Sequence, residues 1–392
     1  MPERAADRDA FGGIYAGKRV LVTGHTGFKG AWLSEWLLLL SAHVTGYSID
    51  TTEPSLFDEL NLSQRLEDIR ADIRDLPRLC KTVTSLEPDF IFHLAAQSLV
   101  RQSYKEPVRT FTTNVSGSVN VMEAARLASH RCVVVMITTD KCYENREWLY
   151  GYREDDPMGG HDPYSASKGC AELVINAYRQ SFFSEQNGCA PRVAVASARA
   201  GNVIGGGDWA SDRIVPDSIA ALERQEKIPV RNKSSTRPWQ HVLEPLSGYL
   251  SLGAQLWQAH QESRLDESNK HPSLAELCSA FNFGPLPASN RKVADLVHEI
   301  LKHWPGDWLD QSDLTAPHEA GLLNLAIDKA FHVLRWQPVW NFEETVAQTL
   351  RWYRKAHKLG RGKPKELLEI TRAQIEKYQC EAAERGLMWA VR

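Results

Sequence analysis

Val20-Leu21-Val22-Thr23-Gly24-His25-Thr26-Gly27-Phe28-Lys29-Gly30 runs from a short apolar, β-branched segment through a glycine-punctuated turn into the apolar-rich stretch Ala31 to Leu40. That order reads as strand, tight turn and helix. Glycines let the backbone approach a phosphate closely, and the following helix N-terminus favours negative charge, so the arrangement suits a dinucleotide pyrophosphate. Asp50 lies twenty residues beyond Gly30, at the expected end of a second strand, where a carboxylate accepts hydrogen bonds from the adenosine ribose hydroxyls. Its neighbours Thr51 and Thr52 are uncharged and offer no cation to a 2′-phosphate. NAD is therefore the expected cofactor, in preference to NADP.

Working outward, continuous apolar or β-branched runs at 19–23, 44–48, 90–94, 132–137 and 192–197 have the pattern of strands buried on both faces. Helical periodicity fills the segments between them, notably 30–40, 108–128 and 164–183. Such alternation implies right-handed βαβ units, and the expected fold is α/β, a doubly wound parallel (Rossmann-type) sheet. After about residue 200 the texture becomes Gly-rich, Trp-rich and Pro-punctuated. This predicts a dinucleotide-binding domain over 1–202 and a smaller C-terminal substrate-binding domain over 203–392. A helical segment near 239–257 is expected to return to the first domain, and residues 1–16 to form a flexible extension.

The chain has 392 residues, a net charge of −3 and seven cysteines without a Cys-x-x-Cys pair. The charge argues against binding nucleic acid by bulk electrostatics, and the cysteines suit a reducing compartment, so a cytoplasmic protein is expected. No apolar stretch approaches the roughly 18 residues of a membrane span, and residues 1–16 lack the apolar core of a signal peptide. No metal site is expected.

Chemistry-bearing residues gather after the run Cys132 to Ile137, which leads into Thr139-Asp140-Lys141. In open α/β sheets, ligands bind at the carboxyl ends of strands. Tyr164-Ser-Ala-Ser-Lys168 follows, the one Tyr-x-x-x-Lys in the chain, and residues four apart share a helix face. A tyrosine with a reference pKa of ~10 must lose about three units to act as a base at neutral pH. Asp140 and Lys141 could serve as acid and base, or simply form an ion pair, which at 4 Å and an effective dielectric of 20 is favoured by about 4 kcal/mol. Successive side chains at a strand end usually diverge, which would weaken that coupling.

The spacing Gly24-x-x-Gly27-x-x-Gly30, followed in order by Asp72-Ile73-Arg74-Asp75, His93-Leu-Ala-Ala-Gln97, Asn114-Val-Ser-Gly117 and Tyr164-x-x-x-Lys168, resembles the extended short-chain dehydrogenase/reductase superfamily. The resemblance implies that Gly24, Thr26, Gly27, Phe28, Lys29 and Gly30 form the cofactor turn, with Asp50 at the ribose. It also implies that Asp72 and Ile73 flank the adenine and that Ala95, Ala96 and Gln97 line the nicotinamide side, with Asn114, Tyr164 and Lys168 completing the set. Nucleotide-sugar 4,6-dehydratases of this superfamily carry Thr-Asp where this chain has Thr139-Asp140, followed by Glu in those acting on dTDP-glucose. Here Lys141 follows. Together with Asn202-Val-Ile-Gly-Gly-Gly-Asp-Trp209, Arg237-Pro-Trp-Gln-His241 and Phe281-Asn-Phe-Gly-Pro285, it makes the chain similar to the dehydratases acting on CDP-glucose, over nearly its whole length.

That resemblance implies a hydro-lyase. Thr139 and Tyr164 would hold the sugar 4-hydroxyl, Tyr164 would take its proton, and the C4 hydride would pass to NAD. Lys141 would remove the acidified C5 proton while Asp140 protonates the departing 6-hydroxyl, and the hydride would return to C6. Asn202, Arg213 and Arg237 would bind the nucleotide sugar, with His318 and Glu319 closing over it. Trp209, Trp239, Trp336 and Trp340 are expected to be packing residues, and Cys142 a buried, inert thiol. A homodimer or dimer of dimers through the helices at 108–128 and 164–183 is implied. Two other readings stay open: an epimerase or a dehydratase of another sugar nucleotide, and a non-catalytic dinucleotide sensor.

Overall fold

The computed structural model describes residues 9–51, 54–184, 191–262, 272–312, 321–360 and 362–391. Seven strands, β1 (Arg19–Thr23), β2 (His43–Ser48), β3 (Glu67–Arg70), β4 (Phe90–His93), β5 (Cys132–Ile137), β6 (Val193–Arg199) and β7 (Ala280–Asn282), form one sheet in the order β3-β2-β1-β4-β5-β6-β7. Every pairing is parallel. The chain winds one way from β1 to β3 and the other way from β4 to β7, so the sheet's switch point lies between β1 and β4, where a crevice opens at the strands' carboxyl ends.

Alternation along the central strands divides two cores. Val20, Val22, Val133, Val135 and Ile137 face one, whereas Leu21, Cys132, Val134 and Met136 face the other. All residues of β5 and β6 are buried, which explains why both read as uninterrupted apolar or small-residue runs. Helix α1 (Phe28–Leu39) covers the first face. Helices α2 (Leu76–Leu86), α3 (Gly117–Leu127) and α4 (Pro163–Phe182) cover the second. Asp75 and Asp162 cap α2 and α4 by accepting from the backbone N–H of Arg78 and Ser165, and each helix has a proline in its first turn, a combination that fixes where a helix starts.

Beyond β6 the chain returns to the sheet twice. Helix α5 (Leu243–Glu262) packs against β5 and β6, starting later than the 239–257 expected because Thr236–Pro238 and Gln240–His241 are extended and paired. The three residues of β7 then complete the sheet, a strand too short to show any periodicity. The expected helix over 108–128 is interrupted by a π-helical turn at Thr112–Ser116.

The expectation of a flexible extension over 1–16 fails for its described part. Phe11 is buried, stacks on Trp389 with ring centroids 5.0 Å apart, and its N–H donates to the Trp389 carbonyl. Tyr15 is buried too and donates to the Leu250 carbonyl at 2.6 Å. Burying two aromatic rings is reason enough for order here. No helix among the described residues is long and apolar enough to cross a membrane.

Candidate active site

The glycine turn leaves no room for side chains. Gly24 has φ +74°, and a Cβ there would stand 2.6 Å from the Ala95 backbone nitrogen; one at Gly30 would stand 2.1 Å from the Gly24 carbonyl oxygen. Turn and β4 end are thereby pressed together, and α1 starts at Phe28 with Gly27 as a cap that offers no side-chain acceptor. The free N–H groups of that first turn suit a phosphate. Thr26 hydrogen-bonds Ser48 at the end of β2 (2.9 Å). Asp50 lies two residues past β2 and is exposed.

Around the adenine end, Arg74 clasps both oxygens of Asp72 (3.0 and 2.6 Å) and holds its carboxyl below the usual range. Ile73 packs under Gly117, where a Cβ would meet it at 2.5 Å. Thr23 links to the other side of the crevice through the Ala95 N–H (3.3 Å), and Ala96 follows directly. The π-turn aims buried Asn114 at two elements at once. Its Oδ1 accepts from the Gln97 N–H (2.8 Å), and its Nδ2 donates to the Gln97 carbonyl (3.0 Å) and to Ser167 on α4 (2.9 Å).

Beyond β5 the backbone makes a 3₁₀ turn over Asp140–Cys142 capped by Thr139. This corrects the expectation that Asp140 and Lys141 diverge: Lys141 Nζ lies 3.7 Å from Asp140 Oδ1. The tight turn abandons strand alternation, so neighbouring side chains need no longer point to opposite faces. Thr139 Oγ1 donates to the same Asp140 oxygen (2.9 Å). Oδ2 of Asp140 is buried without a hydrogen-bond partner and presses on Gly201, where a Cβ would fall 1.8 Å from it.

Tyr164 and Lys168 are buried on one face of α4. Burial pushes the Tyr164 phenol up to about 12, against the lowering effects of a Thr139 hydrogen bond and the Arg213 charge. Burial likewise brings Lys168 down to about 8, with Glu172 opposing, and its Nζ donates to the Ile137 carbonyl (3.3 Å). Lys29, half-buried, is lowered to about 8 by burial and then by Arg213, Lys168 and Lys141. Four cations thus converge on one crevice, with Asp140 among them. Such a field suits a ligand carrying phosphates.

Asn202 follows Gly201 with φ +50°, and its Oδ1 is buried without a partner. Arg213 pairs with Asp208 (2.8 Å) and reaches Ser98 across the crevice (3.4 Å). Arg237 is buried on the strand that pairs with Asn290–Lys292. His318 and Glu319 lie outside the described residues. Trp239, Trp336 and Trp340 are buried and Trp209 packs on the core; Cys142 is buried and its thiol is pushed up by desolvation. Sequence reading missed Thr138, Glu172 and Arg199, a buried polar group beneath the site. A glutamate at the fourth position beyond Lys168 was the available signal.

Comparison with known proteins agrees with this geometry. The chain matches the family described as GDP-mannose 4,6 dehydratase over residues 21–349. It belongs to that family. The CDP-glucose 4,6-dehydratase of Salmonella typhimurium is 45% identical over 344 residues, 87% of this chain and 92% of the relative, so the resemblance read from the motifs holds. Among solved structures, the dTDP-glucose 4,6-dehydratase of Streptomyces venezuelae with NAD and TYD bound superimposes with a TM-score of 0.70 at 22% identity, over 89% of this chain and 99% of that one. The UDP-glucose 4-epimerase of Thermotoga maritima, with UDP-glucose, gives 0.70 at 19% identity, over 87% and 100%. At such identities these two establish the fold. The family match ends at residue 349, inside helix α6 (Phe342–Leu359). Helix α7 (Pro364–Glu384) therefore lies beyond it, held to α1 by Arg372 donating to buried Glu35 (2.7 Å).

Proposed function

We propose that this chain is an NAD-dependent hydro-lyase that converts CDP-glucose to CDP-4-keto-6-deoxyglucose. The observation that carries the reading is the Thr139-Asp140-Lys141 turn: an acid–base pair in contact, next to a buried tyrosine and lysine at the carboxyl end of β5, beside the switch point of the parallel sheet. A simple alcohol oxidation or 4-epimerisation has no use for that extra pair. The similar Salmonella enzyme supports cytidine as the base.

Gly24, Thr26, Gly27, Phe28, Lys29 and Gly30 would hold the pyrophosphate of NAD, Asp50 the ribose, Asp72 and Ile73 the adenine, and Ala95, Ala96, Gln97 and Asn114 the nicotinamide side. When bound, NAD supplies an acceptor for the C4 hydride and its return to C6. Thr139 orients the 4-hydroxyl and Tyr164 accepts its proton, the phenolate being favoured by the Lys168 ammonium. Shifting one proton within the Asp140–Lys141 pair turns carboxylate and ammonium into carboxylic acid and amine, with no change in total charge. Lys141 then takes the C5 proton and Asp140 protonates the departing 6-hydroxyl, which restores the ion pair; as C6 receives the hydride, the Lys141 ammonium, its protons exchanged with solvent, returns one to C5. The proton taken from the 4-hydroxyl balances the one lost to water. Asn202, Arg213 and Arg237 would hold the nucleotide end, Arg in a bidentate mode on phosphate oxygens.

Exposed Val108 and Leu127 lie on the helices flanking Asn114, Leu173 and Phe182 on α4, and Tyr104 on the short helix Val100–Lys105 just upstream. A second copy covers this face in our reading, giving a homodimer or a dimer of dimers in the cytoplasm; a monomer by sedimentation at micromolar concentration would refute it. The activity is tested by incubating the protein with CDP-, dTDP-, UDP- and GDP-hexoses. A 4-keto-6-deoxy product from CDP-glucose is expected, and its formation from a non-cytidine donor alone would overturn the reading.

A further inference from the structure

Glu172 stands four residues beyond Lys168 on α4 and is buried, so the two occupy one helix face about a turn apart. A buried carboxylate must find partners or lose its charge. Oε1 of Glu172 accepts from Thr138 Oγ1, and Oε2 accepts from Ser197 Oγ (2.9 Å) and Arg199 Nη2 (2.8 Å). Arg199, also buried, donates through Nη1 to the Tyr143 hydroxyl (2.7 Å) and to the Glu154 carbonyl (2.8 Å), and Tyr143 donates onward to Asn282 Oδ1 (2.7 Å). Two members flank the reacting turn: Thr138 immediately precedes Thr139, and Tyr143 comes two residues after Lys141.

A buried ion pair is by itself weak evidence for stability, since apolar packing often does as well. What distinguishes this one is its place. Lys168 is faced by Lys29 at the head of α1, His93 at the end of β4, Cys142 in the 3₁₀ turn, and Glu172 on its own helix. Burial lowers His93 to about 3 and raises the Cys142 thiol, so both are neutral at physiological pH. Glu172 stays ionised: burial opposes this, but the Arg199 charge and the hydrogen bonds from Arg199, Thr138 and Ser197 outweigh it. Glu172 is thus the carboxylate whose charge acts on Lys168, while Asp140, in the same crevice, is paired with Lys141.

We propose that Glu172 is a positioning residue for the reaction, holding Lys168 as an ammonium and, through Thr138 and Arg199, fixing the Thr139–Asp140 turn at the end of β5. This rests on reading Tyr164 and Lys168 as the proton-transfer pair.

The test is steady-state kinetics across pH with CDP-glucose. Glu172→Gln removes the charge at constant shape; kcat is expected to fall about 30-fold near neutral pH, with KM within about twofold and the alkaline limb of kcat about one pH unit lower. Glu172→Asp keeps the charge and is expected to bring the limb back to its wild-type position. An unmoved limb in Glu172→Gln would overturn the proposal. Should that variant not fold, Thr138→Val carries the test, with about a fivefold loss of kcat at wild-type KM expected; wild-type kcat would overturn the proposal. Tyr164→Phe, run alongside, separates the two readings: if it keeps full turnover the pair itself is misassigned, and if it abolishes turnover while the Glu172→Gln limb stays put, the role given to Glu172 alone is wrong.

Discussion

Lys141 Nζ sits 3.7 Å from Asp140 Oδ1, and the other oxygen of Asp140 is buried with no hydrogen-bond partner. One oxygen is therefore tied to Thr139 and Lys141, while the second is free to receive a proton. A carboxylate so placed can pass a proton to a departing hydroxyl without first breaking its own hydrogen bonds.

Lys141→Ala removes the base and leaves the crevice of Tyr164 and Lys168 in place. Net dehydration is expected to fall by about 10²–10⁴-fold, the range general-base catalysis supplies, while C4 oxidation survives as transient absorbance of reduced cofactor. Stopped-flow absorbance together with deuterium exchange at C5 checks this; undiminished exchange would reject the role of Lys141.

The alkaline side of the pH profile follows from Lys168. Burial has lowered it to about 8, and it favours the Tyr164 phenolate only while protonated, so kcat is expected to decline as pH rises through about 8. Stability runs the other way. Between about 8 and the ordinary lysine value near 10.5 the unfolded chain binds more protons than the folded one, so this group makes unfolding harder as pH rises through that window. Urea titrations from pH 7 to 10 separate the two trends.

Gly24→Ala places a Cβ 2.6 Å from the Ala95 nitrogen at a φ of +74°. Turn and β4 must part, at a cost of about 1–3 kcal/mol in strain. Affinity for NAD is expected to drop at least about tenfold, read by calorimetric titration of protein stripped of nucleotide.

Much of this architecture was legible in the sequence because buried parallel strands leave continuous apolar runs, and Gly24, Gly27 and Gly30 mark a turn that only small residues fit. Asp140 and Lys141 were legible as residue types but not as a contact, since the 3₁₀ turn that joins them leaves no periodic trace. β7 was invisible at three residues. Glu172 and Arg199 meet only once α4 has been laid against β6, a long-range pairing no local pattern announces.

Glu35 is buried in α1 and accepts from Arg65 of the β2–β3 connection and Arg372 of α7. Glu35→Ala leaves two arginines without their anion, and because both are partly exposed to solvent the expected loss is about 2 kcal/mol of stability. Urea unfolding measures it, and wild-type midpoints would show that α7 is held by apolar contacts alone.

The most direct test of the central claim is incubation of the purified protein with CDP-glucose in deuterated water, with the product examined by NMR and mass spectrometry. The mechanism requires CDP-4-keto-6-deoxyglucose with one deuterium at C5 and with the original C4 hydrogen carried to C6. Recovery of unchanged CDP-glucose, or of a C4 epimer without loss of water, would contradict it.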